Sequence, residues 1–255
     1  MFRFIFSRQF SAFLLAMLAT LPSCAPKRLE TLTAADPGLQ KTYEQAVSLA
    51  LNPTPDKVFH NLVAIVSENG DLKWKEIDGQ AYVLMVSYVS SFKYYQGTVG
   101  KPYNTGQYTI WVTAAPFVKD LCSDATWSGG NLALRLEQLL GLPPGGSRAG
   151  FVQFWVRPQD LFRPCPDNEV TDRQCSLNIP ADVEPWYREW LNELRSQQYY
   201  FCPPNKQGYP WTQLGYTFDW KDLAKPVGMS EFVIKENAVV YVESLTSTAQ
   251  YCVSK

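Results

Sequence analysis

The sequence predicts an α+β fold: a single domain with a mainly antiparallel sheet, about three helices packed on it, and a loop-rich C-terminal part. Three observations predict it. Strand-like apolar runs outnumber helical ones and follow one another as hairpins instead of alternating with helices. Asn69-Gly70 and Asp78-Gly79, pairs that tolerate positive φ at both centres of a tight turn, separate the first three runs. A hydrophobic fraction of 46% against 18% charged in 255 residues suits a packed core and excludes disorder as the main theme.

In chain order, Asp36 followed by Pro37 supplies an N-cap and a first-turn proline. Leu39, Tyr43, Ala46, Val47, Ala50 and Leu51 recur at helical spacing until Asn52-Pro53 stops them. Thr54-Pro55 starts a short turn toward His60, the single histidine. Runs at 62–66, 72–77 and 81–89 then predict a three-stranded meander. In the third, Tyr82, Leu84, Val86 and Tyr88 alternate with Val83, Met85 and Val89. Both faces are apolar, so this strand belongs in the interior with a layer on each side.

Residues 108–113 supply a fourth strand. A helix over 131–140 carries Leu132, Leu136, Leu139 and Leu140 on one face and stops at Gly141. Residues 151–156 form a fifth strand. A helix over about 182–197 buries Val183, Trp186, Tyr187, Trp190, Leu191 and Leu194. Residues 232–234 and 238–243, joined around Glu236-Asn237, read as a final hairpin. The segments 157–180 and 199–230 are long, Pro-rich and irregular, which is where function tends to sit.

Charge and composition exclude several functions. With 23 basic and 24 acidic side chains the chain lacks the basic footprint of nucleic-acid binding. One histidine and no CxxC pair argue against zinc and against a histidine-driven nucleophile. No phosphate loop or GxGxxG is present, so neither a nucleotide cofactor nor a metal is expected. Ser90-Ser91-Phe92-Lys93 and Gly145-Gly146-Ser147-Arg148-Ala149 match fragments of catalytic motifs without their context. His60 reads as a hydrogen-bonded structural residue. Asp167-Asn168-Glu169 lacks the ligand order of an EF-hand loop.

Arg3 and Arg8 precede an apolar stretch from Phe10 to Leu21, and no acid appears before Glu30. That length suits a signal-peptide core better than a spanning helix. The stretch ends in Leu21-Pro22-Ser23-Cys24, which resembles the lipobox of bacterial lipoproteins, with Pro22 departing from the usual small residue. The resemblance implies a signal peptide over 1–23, lipidation of Cys24 and a membrane anchored through that lipid. Ala25 implies the periplasmic face of the outer membrane where the cell has two. A plain secretory signal or an uncleaved anchor are the other readings of the segment. Residues 24–36 form a tether, and 37–255 the single α+β domain. Loss of 1–23 leaves 21 basic and 24 acidic side chains, net −3.

Export permits disulfides. Cys122, Cys165, Cys175, Cys202 and Cys252 remain after Cys24, enough for two bridges and one free thiol. The preferred pair is Cys165 with Cys175, because Pro164, Pro166 and a polar run suggest a compact loop; closing it contributes on the order of 2–3 kcal/mol.

The candidate binding surface is aromatic. Eleven of the 35 residues from Trp186 to Trp220 are aromatic, about twice the chain average. Tyr199, Tyr209, Trp211 and Tyr216 lie among Pro, Gly and Asn, where rings with polar tips could stack on a glycan or an envelope protein. The leading expectation is a non-catalytic binding or structural module. The rival is an envelope glycan hydrolase with a carboxylate pair, nominated as Asp160 and Asp219.

Overall fold

A computed structural model describes residues 36–124, 127, 130–200 and 208–253. The α+β class holds: five helices pack around a mainly antiparallel eight-stranded sheet, and a separate two-stranded ladder sits in the C-terminal part.

Helix α1 (Pro37–Ala50) begins where the sequence places it, with the Asp36 carboxylate accepting from the Gly38 N–H at 2.8 Å. Its buried stripe, Tyr43, Ala46 and Ala50, packs on Phe218 and Trp220. Strands β1 (Trp74–Ile77) and β2 (Gln80–Val89) form the hairpin encoded by Asp78-Gly79, whose φ values of 51° and 74° are those a tight primed turn requires. The predicted strand at 62–66 is different. It is extended but outside the sheet, bonded through Leu62 and Ile65 N–H to the carbonyls of Arg173 and Val170. Asn69 explains why: it keeps a negative φ and spends its side chain on the Ala64 carbonyl, so the chain turns without the geometry that would lay 62–66 against β1.

Strands β3 (Pro102–Asn104) and β4 (Ile110–Ala114) follow, then α2 (Ala115–Cys122) and α3 (Leu132–Leu139), capped by the Asn131 side chain. Strand β5 (Gly150–Val156) pairs along β2 over seven residues. After β6 (Leu161–Phe162) come α4 (Pro185–Arg195), which continues into a π-turn over Ser196–Tyr200, and the ladder of β7 (Tyr216–Phe218) with β8 (Val227–Ser230). The 199–230 segment therefore contains strands that its sequence does not advertise. In α4 the buried side chains are Tyr187 and Leu191, while Trp186 is exposed.

Strands β9 (Phe232–Ile234) and β10 (Val239–Ser247) correct the predicted hairpin: they do not pair with each other. Asn237, at φ 56°, bends one long strand instead of reversing it. β9 pairs with β4 and β10 with β3, and the Thr105–Ala238 and Asn237–Gly106 backbone bonds join the two ladders into one. Since β10 also pairs with β5, and β5 with β2, and β2 with β4, the sheet closes on itself as a barrel.

Alternate residues of its strands meet inside. Val83 and Met85, Val112 and Ala114, Val152 and Phe154, Phe232 and Ile234, Val240 and Val242 form one buried cluster. The other face of β2 and β5 carries Val86, Tyr88 and Phe151 into a second cluster under α2, α3 and the short α5 (Thr248–Tyr251). β2 is thus interior and covered on both sides, as its two apolar faces require.

Two disulfides lock the periphery. Cys122–Cys252 ties α2 to the end of α5, and Cys165–Cys175 closes the predicted ten-residue loop. Arg163 lies at the centre of that loop, fully buried, donating to the carbonyls of Glu169, Val63, Val170 and Asp172. Cys24, Cys202, the predicted signal peptide over 1–23 and the tether up to residue 35 lie outside the described residues. No described helix is long and apolar enough to cross a membrane.

Candidate functional site

The β2–β4 ladder has two residue pairs, Met85 with Ala114 and Val86 with Thr113. Beyond them the strands part, and a cavity of about 320 Å³ opens in the split, with Val86, Ser87 and Tyr88 on one side and Trp111, Val112 and Thr113 on the other. Its remaining walls come from Leu140, Gly141 and Leu142 at the end of α3, Gln198 of the π-turn, and Tyr209, Pro210 and Trp211. Gly141 is left-handed, φ 65°, which turns α3 away at its C-terminus; the site of a Cβ there lies 3.4–3.5 Å from Phe218 backbone and Pro210.

Among the described residues one charged side chain lines this cavity. Glu231 enters β9 one residue before the Val112–Phe232 pair, so its position faces Thr113 of β4. Its N–H is bonded to the Gly215 carbonyl, but no hydrogen bond or ion pair reaches its carboxyl among the described residues. Glu231 keeps some exposure because it borders the cavity, yet protein encloses the group so fully that desolvation pushes its pKa up to about 8. Thr113 is buried, and its hydroxyl also has no partner. Two polar side chains from adjacent strands thus stand unpaired among the described residues at a mostly apolar cavity, an arrangement that costs stability unless something else pairs them.

The aromatic walls are fixed from behind. Trp111 and Trp211 stand at 89° to each other with ring centroids 6.4 Å apart. Trp211 donates from Nε1 to the Pro164 carbonyl at 3.0 Å and stacks on Tyr199, whose hydroxyl bonds to the Trp211 carbonyl. Tyr88 stacks on Phe151 and meets the Thr248 hydroxyl at 3.2 Å; burial raises its pKa.

The four candidate aromatics do not form one exposed patch. Tyr209 is 44% exposed, Tyr199 is half-buried, and Trp211 and Tyr216 are buried at 5% and 2%. The reason is that the Pro-rich segment folds back on α4 and the disulfide loop, and its rings become that region's core. Tyr216 donates to the Lys57 carbonyl and packs with Leu62, Leu214 and the Cys165–Cys175 bridge, away from the cavity. Tyr209 and Trp211 do share a site, as walls of the cavity.

The nominated acids are engaged elsewhere. Asp160 accepts from Arg157 Nε at 2.7 Å, and Asp219 holds the Arg135 guanidinium with both oxygens. Neither lines the cavity. Asp167 approaches the two bridged sulfurs, but the sulfurs are spent on each other and Asp167 Oδ2 accepts from the Ser176 N–H. His60 meets Gln174 at 2.6 Å on the surface. Glu231 is not one of the acids nominated from the sequence. The signal that singles it out is a lone charge between Met229-Ser230 and the apolar run Phe232-Val233-Ile234.

Fold and cavity together define an α+β barrel domain with a cavity of small-molecule size beside the β2–β4 ladder. Compared with protein families, curated proteins and solved structures, the chain matches none.

Proposed function

We propose that the protein is a non-catalytic binding module, exported and lipid-anchored in the bacterial envelope through Cys24, whose ligand is a small molecule held in the β2–β4 cavity. The observation that carries the reading is Glu231, whose carboxyl has no partner among the described residues, lining a mostly apolar and aromatic space next to the unpaired hydroxyl of Thr113. A volume of about 320 Å³ falls at the lower end of small-molecule pockets. Mostly apolar walls suit a ring-bearing or aliphatic body better than a glycan chain, whose hydroxyls would lose water without gaining partners. A hydrolase of the paired-carboxylate kind needs two acids, and among the described residues Glu231 is the single acid lining this cavity.

The neutral apolar fluorophore N-phenyl-1-naphthylamine tests the site. It should bind the mature chain at one equivalent, and Ser87→Phe or Leu142→Trp, each filling the cavity, should abolish binding while the thermal midpoint holds. Equal binding by wild type and both variants would overturn the reading. For the address, fatty-acid labelling of cells should mark the wild type and spare Cys24→Ala; an unlabelled wild type removes the anchor.

A further inference from the structure

We infer that the cavity takes an organic monocation, a primary or secondary ammonium on an apolar or aromatic body, with its nitrogen held between Glu231 and Thr113 and its body against Trp111 and Trp211. The inference rests on the cavity being a ligand site and adds the chemistry of the occupant.

Four features of the cavity select that chemistry. Among the described residues no lysine or arginine lines it, so none of them neutralises the Glu231 carboxyl. Thr113 lines the cavity from the adjacent strand, its enclosed hydroxyl unpaired among the described residues, and a primary or secondary ammonium has the two or three N–H donors that match a carboxylate and a hydroxyl. Aromatic rings of Tyr88, Trp111, Phe151, Tyr209 and Trp211 line the wall, and the π-face of a ring attracts cations and repels anions. The right-angled pair Trp111 and Trp211 makes a corner where an alkyl or aryl body loses water on two sides.

The proton balance is explicit. An amine entering as free base takes the Glu231 proton and forms the ion pair in place. An amine entering as ammonium leaves that proton to be released to water. Among the described residues Tyr88 of β2 and Tyr209 are the other titratable side chains on the walls; β4, α2, the end of α3, the π-turn and β7 present Thr113, Val118, Leu140, Gln198 and Thr217. Affinity for an ammonium ligand therefore follows ionisation of Glu231 and rises with pH until the amine itself loses its proton.

The test is calorimetry on the mature chain with three ligands of one shape: phenethylamine, 2-phenylethanol and 3-phenylpropionate. Near pH 8.5 the amine should bind about tenfold or more tighter than the alcohol, and the carboxylate weakest. Glu231→Gln should remove the preference, leaving the alcohol within about twofold of wild type, and lowering the pH to about 6.5 should weaken the amine more than about tenfold. Equal affinities for amine and alcohol near pH 8.5, or an amine affinity that the drop in pH leaves unchanged, would overturn the cation and leave the cavity standing as a site for neutral acceptors. A preferred carboxylate overturns it as well. If none of the three binds while N-phenyl-1-naphthylamine does, the cation is wrong; if that fluorophore also fails, the binding site itself is.

Discussion

Glu137 and Glu231 are the same side chain in two enclosures. Glu137 is 2% exposed, on the inner side of α3, and the loop at Gly145-Gly146 closes over it. Burial raises its pKa, but N–H groups of Gly145 and Gly146 and the nearby Arg148 pull it back. The Gly145 bond is 3.0 Å long, and a Cβ on Gly146 would sit 3.1 Å from the carboxylate oxygen, so a bare backbone is what allows the grip. The fragment Gly145-Gly146-Ser147, which looks like part of a nucleophile turn, is thus a cradle for an acid. Glu231 is desolvated at the edge of the cavity without such a cradle. The contrast separates an acid that completes the fold from one that the fold leaves waiting for a partner.

The comparison can be broken most severely at Glu137. Glu137→Ala would orphan the Gly145 and Gly146 donors and leave a hole, destabilising by about 4 kcal/mol in urea unfolding, while Glu137→Gln should lose about 1 kcal/mol because an acceptor remains. A silent Glu137→Ala would mean the cradle does no structural work.

Glu231 should respond in the opposite direction. Its folded pKa of about 8 lies above the carboxyl value of 4.5, so the native state holds this proton more tightly than the unfolded chain. Stability is then fully present below about 4.5 and falls as pH rises through about 8. Glu231→Gln should gain up to roughly 3 kcal/mol at pH 7 and flatten that slope. A destabilised variant with an unchanged slope would show that the carboxyl is already paired. The smallest effect is at Thr113: Thr113→Val removes an unpaired buried hydroxyl and should stabilise by about 1 kcal/mol. A loss of that size would reveal a hydrogen bond to Thr113.

Much of this was legible from residues close in sequence. The cap and stripe of α1, the Asp78-Gly79 hairpin, the leucine face of α3 and the ten-residue disulfide loop each depend on neighbours within a few turns, and each stands. α2 and the β7–β8 ladder escaped notice. α2 has no side-chain N-cap and is eight residues long, and β7 is three residues among prolines and glycines. Tyr199, Tyr209, Trp211 and Tyr216 were found as rings but not as walls or core, because a ring's exposure is decided by what folds over it.

The amino-acid sequence by itself determined which stretches turn, coil and extend, and which cysteines lie close enough to close a loop, since those outcomes follow from φ preferences, periodicity and short loop lengths. Only the tertiary structure decided that β9 and β10 are one bent strand closing a barrel, that β2 and β4 part to leave a cavity, and that Glu231 rather than Asp160 or Asp219 is the acid without a partner. Strand pairing and desolvation are set by residues more than a hundred positions apart in the chain, such as Thr113 and Glu231, and no local pattern records which of them will meet.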